Sequence, residues 1–462
     1  MTRKRYFLAF MMSALILISG TDNAVSQDTA STNILTLEQM LRQVYLNNPL
    51  LKASQAELRA THELYPQALA GWRPTILAES SIYNSDAETD PHSHSGGATT
   101  KDITLGVEQP LFRGGKTMAE TSRAQSLVKA AYARLLQTEQ DIFLQSATAY
   151  LDVIRDQTLA QLSVNNESRL NEELNATRNR LDIGDVTNTD LQQAQARLAR
   201  ARAESIAAHG NLESSRAAFE QVAGFTPAET LVFPAWHFEF PPTLDEIIAR
   251  AEQENFEIRV AKDRREAALD DIDNARGDLL PQVSAFASYN RQFDPQPGQL
   301  DEAQTQTLGV RARLAIYEAG LIRSRVSGAK NTATQREHEI TQARRSVREG
   351  IVRNWQTLTA AQAEITARTA EADATRLARD GVREEARLGE RTVIDVLDAD
   401  QEVLDAEAAV VHARRNAYVA SFSLAASLGM LQPERMGMAD IAYYAGPHYF
   451  ATADKIINME AE

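Results

Sequence analysis

The 462-residue chain carries 48 basic and 63 acidic side chains, a formal net charge of −15, and 43% apolar residues. This composition argues against a disordered chain, and the excess of acid argues against a nucleic-acid partner, because binding phosphates requires clustered Lys and Arg. Cysteine is absent, which excludes disulfides, thiolate metal sites, cysteine nucleophiles and a lipid-modified N-terminal cysteine.

Residues 1–26 have the pattern of a secretory signal peptide. Basic residues at 3–5 precede an apolar run at 6–18, and Ala24 and Ser26 supply the small residues that precede a cleavage site. The alternative is a membrane anchor, but the run is shorter than the ~18–20 residues that a spanning helix needs. No other stretch is long and apolar enough, so a mature chain that crosses a membrane is expected to do so as strands of a closed barrel.

The rest of the sequence is a tandem repeat with a nearly constant offset. The offset is 203 to 207 residues for these matched pairs: Thr36 and Thr243, Pro74 and Pro281, Thr104 and Thr307, Gly184 and Gly389, Gly224 and Gly429. The pattern predicts a first structural repeat at 27–230, a linker at 231–242, a second repeat at 243–431 and a C-terminal segment at 432–462.

Each repeat contains two stretches in which apolar and polar residues alternate with period two, which is typical of strands with two different faces. They predict four strands, at about 74–85, 101–112, 281–292 and 304–317. Their length, roughly ten residues, is that of a transmembrane β-strand. The alternation predicts that Leu105, Val107, Val310 and Leu314 face lipid and that Arg311 and Arg313 face a lumen. The alternative is two soluble hairpins packed on the helices.

Each repeat also contains a very long helix and a helical return. The long helices are predicted at about 116–181 and 321–388, and the return helices at about 189–222 and 393–427. A 66-residue helix is ~100 Å long. The return helices carry apolar and small residues at alternating spacings of three and four, which indicates a coiled coil rather than an ordinary amphipathic bundle helix.

The turn between these helices has the same chemistry in both repeats. A glycine ends the long helix, and a Thr and an Asp three residues apart form a capping box at the start of the return helix. The turn residues are Gly184, Thr187 and Asp190 in the first repeat and Gly389, Thr392 and Asp395 in the second.

Four strands cannot close a membrane barrel, and exposed strand edges are not tolerated in lipid. Two chains would give eight strands, whose interior is filled by side chains, whereas three chains would give twelve, the smallest closure expected to leave a lumen. The strand count therefore favours a homotrimer.

Several motifs resemble those of the TolC family of outer-membrane efflux channels. GERTVIDVLDADQEVLDAE (389–407) and GDVTNTDLQQAQARL (184–198) resemble the family's two periplasmic turns, and QPLFRGG (109–115) and AIYEAG (315–320) resemble its strand-to-helix junctions. The resemblance implies an internally duplicated α+β fold, with four transmembrane strands per chain that close a 12-stranded barrel as a trimer and with long helices that form a periplasmic α-barrel.

The same resemblance implies a function. The chain would be the outer-membrane channel of a tripartite efflux pump or of a type I secretion system in a Gram-negative bacterium. It would contact outer-membrane lipid and dock to an inner-membrane transporter through a periplasmic adaptor, a membrane fusion protein. The sequence does not say whether drugs, proteins or polysaccharides are exported.

The second turn carries an acid that the first lacks. Asp398 corresponds to Gln193 in the first repeat, whereas Asp395 and Asp190 correspond to each other. By resemblance, Asp395 and Asp398 match the family's aspartate rings at the closed periplasmic entrance, where three chains would bring six carboxylates close together. The alternative is a solvated helix face.

The resemblance also assigns gate links. Arg391 matches an arginine of the family's gate, and Asp190 matches an acidic partner. Ala386 stands where the family usually has a tyrosine, so the resemblance does not extend to that part of the closed-state network. Single surface ion pairs are weak, and a gate of this kind needs several.

The sequence contains no catalytic, cofactor-binding or metal-binding constellation. His92 and His94 lie in a Gly- and Ser-rich stretch without further ligands and are predicted to be solvated. Trp72 and Trp236 could be interfacial or buried. Two other classes of function remain open: a periplasmic coiled-coil adaptor, which would lack the duplicated strand pairs, and a secreted enzyme, for which the sequence offers no active-site motif.

Overall fold

The computed structural model describes residues 34–89, 93–234, 238–296 and 300–443. The predicted signal peptide, His92 and Trp236 lie outside the described residues, as do the side chain of His94 and the C-terminal segment beyond Tyr443.

Both repeats contain two long strands followed by a long helix and a return helix, and both begin with shorter helices. The first repeat contains β1 (Ile34–Leu35), α1 (Leu37–Asn47), α2 (Pro49–His62), α3 (Leu64–Leu69), β2 (Thr75–Thr89), β3 (Ser93–Arg113), α4 (Lys116–Asp182), α5 (Asn188–Ala223) and β4 (Thr230–Leu231). The second contains α6 (Leu244–Glu254), α7 (Phe256–Gly277), β5 (Gln282–Gln296), β6 (Leu300–Arg313), α8 (Leu321–Arg387) and α9 (Val393–Ser427). The short helices α1 and α2, with their counterparts α6 and α7, were not among the predicted elements.

The two long helices are equal in length. Helices α4 and α8 each have 67 residues and begin 205 residues apart, which gives rods of ~100 Å. The return helices α5 and α9 pack along the C-terminal halves of α4 and α8, and α7 packs against the N-terminal halves of both. Within the described ranges, no helix combines the length and the apolar character needed to cross a membrane.

The four long strands form one antiparallel sheet in the order β2–β3–β5–β6. The strands have 15, 21, 15 and 14 residues, longer than the roughly ten predicted, because pairing continues into the polar stretches that the sequence suggested were loops. The prediction for the end of the fourth strand was wrong. β6 ends at Arg313, opposite Gln282 at the start of β5, so Leu314 lies beyond the last residue that has a strand partner.

The register of the sheet separates an apolar face from a polar one. Val107 pairs with both Ile76 and Ala287, and Val310 pairs with Ala285; successive side chains in a strand point to opposite faces. Arg311 therefore lies on the other face, where its guanidinium carbon is 4.6 Å from the centre of the Phe286 ring.

The largest core lies where the helices of the first repeat meet the end of α9. Phe143 and Tyr150 of α4, Phe219 of α5 and Phe422 of α9 are all fully buried there. The Tyr150 hydroxyl accepts from the backbone N–H of Val232 at 3.2 Å and lies 2.8 Å from two backbone carbonyls. This core holds the middle of α4 and the C-terminal end of α9 in place. It thereby positions the turns at the C-terminal end of α4 and the N-terminal end of α9.

Candidate functional site at the helical turns

The two turns have the geometry that the sequence predicts. Gly184 and Gly389 have φ values of +81° and +82°, in the left-handed region that favours glycine. Both return helices begin with a complete capping box. In the second, the Thr392 backbone N–H and hydroxyl donate to Asp395 at 2.9 and 2.7 Å, and the Asp395 backbone N–H donates to the Thr392 hydroxyl at 3.3 Å. The boxes therefore fix the orientation of both Asp side chains.

The capping hydrogen bonds keep both carboxylates ionised. Backbone and side-chain hydrogen bonds from Thr187 lower the pKa of Asp190. The Thr392 side chain, followed by its backbone, lowers the pKa of Asp395, and the positive charge of Arg391 adds to the effect. Each turn thus carries a fixed negative charge at the N-terminus of its return helix, where the helix dipole favours it.

A small apolar core brings the two turns together. Leu170 and Leu174 of α4 and Leu198 of α5 pack with Val393 and Leu397 in the first turns of α9. Because this core joins the two repeats, the turn at Gly184 and the turn at Gly389 form one end of the molecule.

The structure places Asp398 beside an arginine side chain that the sequence analysis did not pair with it. The Asp398 carboxylate forms an ion pair with Arg197 of α5, although 56% of the Asp398 side chain remains exposed. Asp395 and Asp398 are three residues apart and lie on one side of α9. In a single chain, therefore, one of the two candidate constriction carboxylates has a partner of opposite charge.

The two predicted gate residues do not pair with each other within the chain. Arg391 donates from Nε to Glu385 at 2.7 Å, and Asp190 is engaged in its own capping box. Ala386, at the usual tyrosine position, follows Glu385 directly in α8. The acid that holds Arg391 in this chain therefore comes from α8 of the same repeat.

A second missed ion pair lies two residues beyond Asp398. Asp400 is buried on α9, and Arg383 of α8 donates to its two oxygens at 3.0 and 2.9 Å.

The pair of Arg197 with Asp398 could have been found by comparing the two repeats. Arg197 corresponds to the acid Glu402 in the second repeat, and Asp398 corresponds to the neutral Gln193 in the first. Such paired changes of charge between repeats could have identified this contact.

The tips of the turns also expose apolar side chains. Ile183 and Leu388 are 79% and 70% exposed, and they occupy equivalent positions, 205 residues apart, immediately before the two turn glycines. Each turn therefore exposes one apolar side chain at the same position of its repeat.

Comparison with known proteins identifies the family to which the chain belongs. The family profile described as outer membrane efflux protein matches residues 40–225 and 247–430, one segment in each repeat. The outer membrane efflux protein BepC of Brucella suis is 30% identical over 447 residues, 96% of this chain and 95% of the relative. The outer membrane protein TolC of Escherichia coli is 24% identical over 414 residues, 86% of this chain and 83% of the relative.

The fold agrees with that comparison. The solved structure of the outer-membrane channel OprN superimposes with a TM-score of 0.71 at 22% sequence identity, covering 85% of this chain and 89% of that one. The chain belongs to the outer membrane efflux protein family. It is an efflux channel of the outer membrane that extends into the periplasm, and the adaptor alternative is set aside.

Proposed function

We propose that three copies of this chain assemble into a channel whose periplasmic entrance is formed by the two helical turns and is made acidic by Asp395 and Asp398. In this assembly the four-stranded sheets would close a 12-stranded barrel in the outer membrane, with β2 of one chain next to β6 of another. A closed sheet would remove the edges that lipid does not tolerate.

One observation carries the location of the entrance. The turns of both repeats lie at one end of the molecule, at the far end of the ~100 Å helices from the sheet. A channel anchored by the sheet in the outer membrane would present this end to the periplasm, where a substrate has to enter.

The charge of this end supports cation selectivity. Asp395 is held ionised by its capping box, and Asp398 is more than half exposed despite its pair with Arg197. Three chains meeting at an axis would concentrate these carboxylates in a confined pore, and low-dielectric walls focus the field of such charges on passing ions. Multivalent cations would bridge carboxylates of different chains and block the pore.

Single-channel recording in a planar bilayer tests this proposal. The double variant Asp395→Ala/Asp398→Ala is expected to lose the block by multivalent cations applied on the periplasmic side and to become less selective for cations. Asp405→Ala, which removes an exposed acid further along α9, is the matched control and is expected to retain both properties. A double variant that keeps the selectivity and the block of the parent would place the acidic constriction elsewhere.

We further propose that this channel works with a periplasmic adaptor and an inner-membrane transporter and performs no chemistry itself. The exposed Ile183 and Leu388 support a docking role for the tips. Arg391 would restrain the closed entrance together with Glu385 of its own chain and with Asp190 of a neighbouring one. Weakening those links would ease opening without changing the charge of the pore lining.

A further inference from the structure

A groove with a volume of about 450 Å³ lies between α4, α7 and α8, in the halves of the long helices that are nearer the sheet. All three helices contribute to its lining, and α7 packs against both of the others. The polar side chains that line it include two arginines, two acids and two glutamines: Arg134, Arg264, Asp141, Glu257, Gln137 and Gln342.

The relative position of α4 and α7 is fixed by ion pairs. Arg123 of α4 pairs with Asp271 of α7 at 2.8 Å, and the two helices run antiparallel, because α4 follows a strand of the sheet and α7 precedes one. Residues at the start of α7 therefore lie level with the later of the α4 residues that line the groove.

This register separates the charges of the groove into two ends. Arg134 and Arg264 lie towards the sheet, whereas Asp141 and Glu257 lie towards the turns. Because side chains on a helix tilt towards its N-terminus, the two guanidinium groups converge on one point and the two carboxylates on another. The rise of 1.5 Å per residue separates these points by about 10 Å.

The charges at the two ends are not neutralised within the groove. None of the two arginines and two acids forms an ion pair with any described residue. Partial desolvation is the cause that raises the pKa of Asp141 and of Glu257, with no contribution from a neighbouring cation. Glu339, which lies near the arginine end, accepts instead from Arg336 at 2.7 Å.

The middle of the groove offers hydrogen bonds of both kinds. Gln137 and Gln342 are repeat counterparts, 205 residues apart, and stand on the two long helices on either side of α7. Each side-chain amide can donate and accept, which matches the N–H and C=O of a peptide bond. Val260 and Ala261 of α7 supply an apolar surface between them.

The groove opens on the side of the helices that faces away from the cores. Leu135 and Phe143 of α4 and Ile258 of α7 are buried in the two large cores, whereas Arg134 and Asp141 form a separate stripe on α4. In the proposed trimer, the core side carries the bulk of α1, α6 and the C-terminal segment, so the groove would face the interior of the channel.

We propose that this groove binds a short zwitterionic chain, an unblocked peptide of about three residues. The ammonium group of the peptide lies between Asp141 and Glu257, and its carboxylate lies between Arg134 and Arg264. Three extended residues span ~10 Å, the separation of the two charged ends. The binding site is formed within one chain, and only its location inside the channel rests on the trimer proposed above.

Calorimetric titration of the full-length protein in detergent with trialanine tests the site. N-acetyl-trialanine lacks the ammonium charge and trialanine amide lacks the carboxylate charge, so each removes one of the two predicted contacts. Trialanine is expected to bind at least tenfold more tightly than either blocked peptide, because hydrogen bonds between charged groups are the strong ones.

Two double variants assign the ends. Asp141→Asn with Glu257→Gln is expected to lose the preference for a free ammonium group and to keep the preference for a free carboxylate. Arg134→Gln with Arg264→Gln is expected to do the reverse. Each variant therefore serves as the folding control of the other.

The matched control removes two acids outside the groove. Glu349→Gln with Glu371→Gln changes exposed acids of α8 and is expected to retain both preferences. Equal affinity of the parent protein for all three peptides, or no measurable binding of any of them, overturns the site. A groove variant that keeps both preferences, or loses both, overturns the assignment of the ends.

Current recording separates this proposal from the channel itself. Trialanine is expected to reduce the current through the parent channel and not through the Asp141→Asn/Glu257→Gln variant. A trimeric, cation-selective protein that does not bind trialanine overturns the site and leaves the proposed channel intact. Binding that leaves the current unchanged overturns the location of the groove inside the channel.

Discussion

At the scale of single residues, Glu139 is an acid buried in the helical part. It lies on α4 with 2% of its surface exposed, and its Oε1 accepts from the Tyr45 hydroxyl of α1 at 2.8 Å. The Tyr45 oxygen in turn accepts from the backbone N–H of Tyr443 at 2.8 Å. Burial, reinforced by the charge of Glu434 and opposed by the Tyr45 hydrogen bond, raises the pKa of Glu139 to about 7.

This shift predicts a pH dependence of stability. Between pH 5 and 7 the folded chain retains a proton on Glu139 that the unfolded chain releases, since its ordinary value is about 4.5. The free energy of unfolding is therefore expected to fall as pH rises through this range, by at most about 3 kcal/mol. Glu139→Gln should reduce the slope, as measured by thermal unfolding of the helices followed by circular dichroism.

Other acids contribute to the remaining slope, because partial desolvation also raises the pKa of Asp141 and of Glu257, although both residues are exposed. Glu390→Gln, which replaces an exposed acid near the second turn, is the control and should leave the pH dependence unchanged. If Glu139→Gln unfolds with the slope of the parent protein, the protonation of Glu139 in the folded chain is contradicted.

The capping threonines are a second determinant at this scale. Thr392→Ala removes the hydroxyl that donates to Asp395 at 2.7 Å and accepts from its backbone N–H. Loss of a cap of this kind costs about 1 kcal/mol. We therefore expect amide hydrogen exchange in the first turn of α9 to accelerate about fivefold. Thr366→Ala, on an exposed face of α8, should leave that exchange rate unchanged, and an unaltered rate in Thr392→Ala would show that the box does not stabilise the turn.

At the scale of elements, the sheet faces separate two neighbouring positions of β6. Val310 lies on the apolar face and is 67% exposed in the single chain, whereas Arg311 lies on the polar face over Phe286. Lys at the lipid-facing position is expected to cost about 2–4 kcal/mol, so Val310→Lys should lower the amount of assembled protein in the outer-membrane fraction.

Arg311→Lys is the matched control, because it keeps the positive charge on the face that is expected to contact water. Its amount in the outer-membrane fraction should equal that of the parent protein. Equal assembly of the Val310→Lys variant would mean that this face does not contact lipid, since a slip of one residue exchanges the two faces.

At the scale of the whole molecule, the exposed tips predict how the channel docks. Ile183→Asp with Leu388→Asp places charge at both turns of each chain, where burial of each apolar side chain in a contact would contribute about 1–2 kcal/mol. We expect the variant to insert and conduct normally but to co-purify at least tenfold less with its adaptor. Ile206→Asp, an equally exposed position on α5 away from the tip, should co-purify normally, and retention of the adaptor by the tip variant would exclude the tips as the docking surface.

The features that the sequence determined by itself are those set by nearby residues. The duplication, the starts of α4, α5, α8 and α9, the left-handed glycines and the capping boxes all follow from patterns within a few residues, because helix termini are stabilised by their own side chains. The period-two alternation likewise predicted the two faces of the sheet.

Tertiary structure decided what depends on residues far apart in the chain. Strand lengths depend on partners: β6 ends at Arg313 because β5 begins opposite it, although the alternation in the sequence continues beyond this residue. The partner of Asp398 lies 201 residues away, and Glu139 is buried by α1 and the C-terminal segment rather than by its own helix. A charged residue in an amphipathic pattern looks the same whether it is solvated or paired, because only the packing of distant helices determines which side chain it meets.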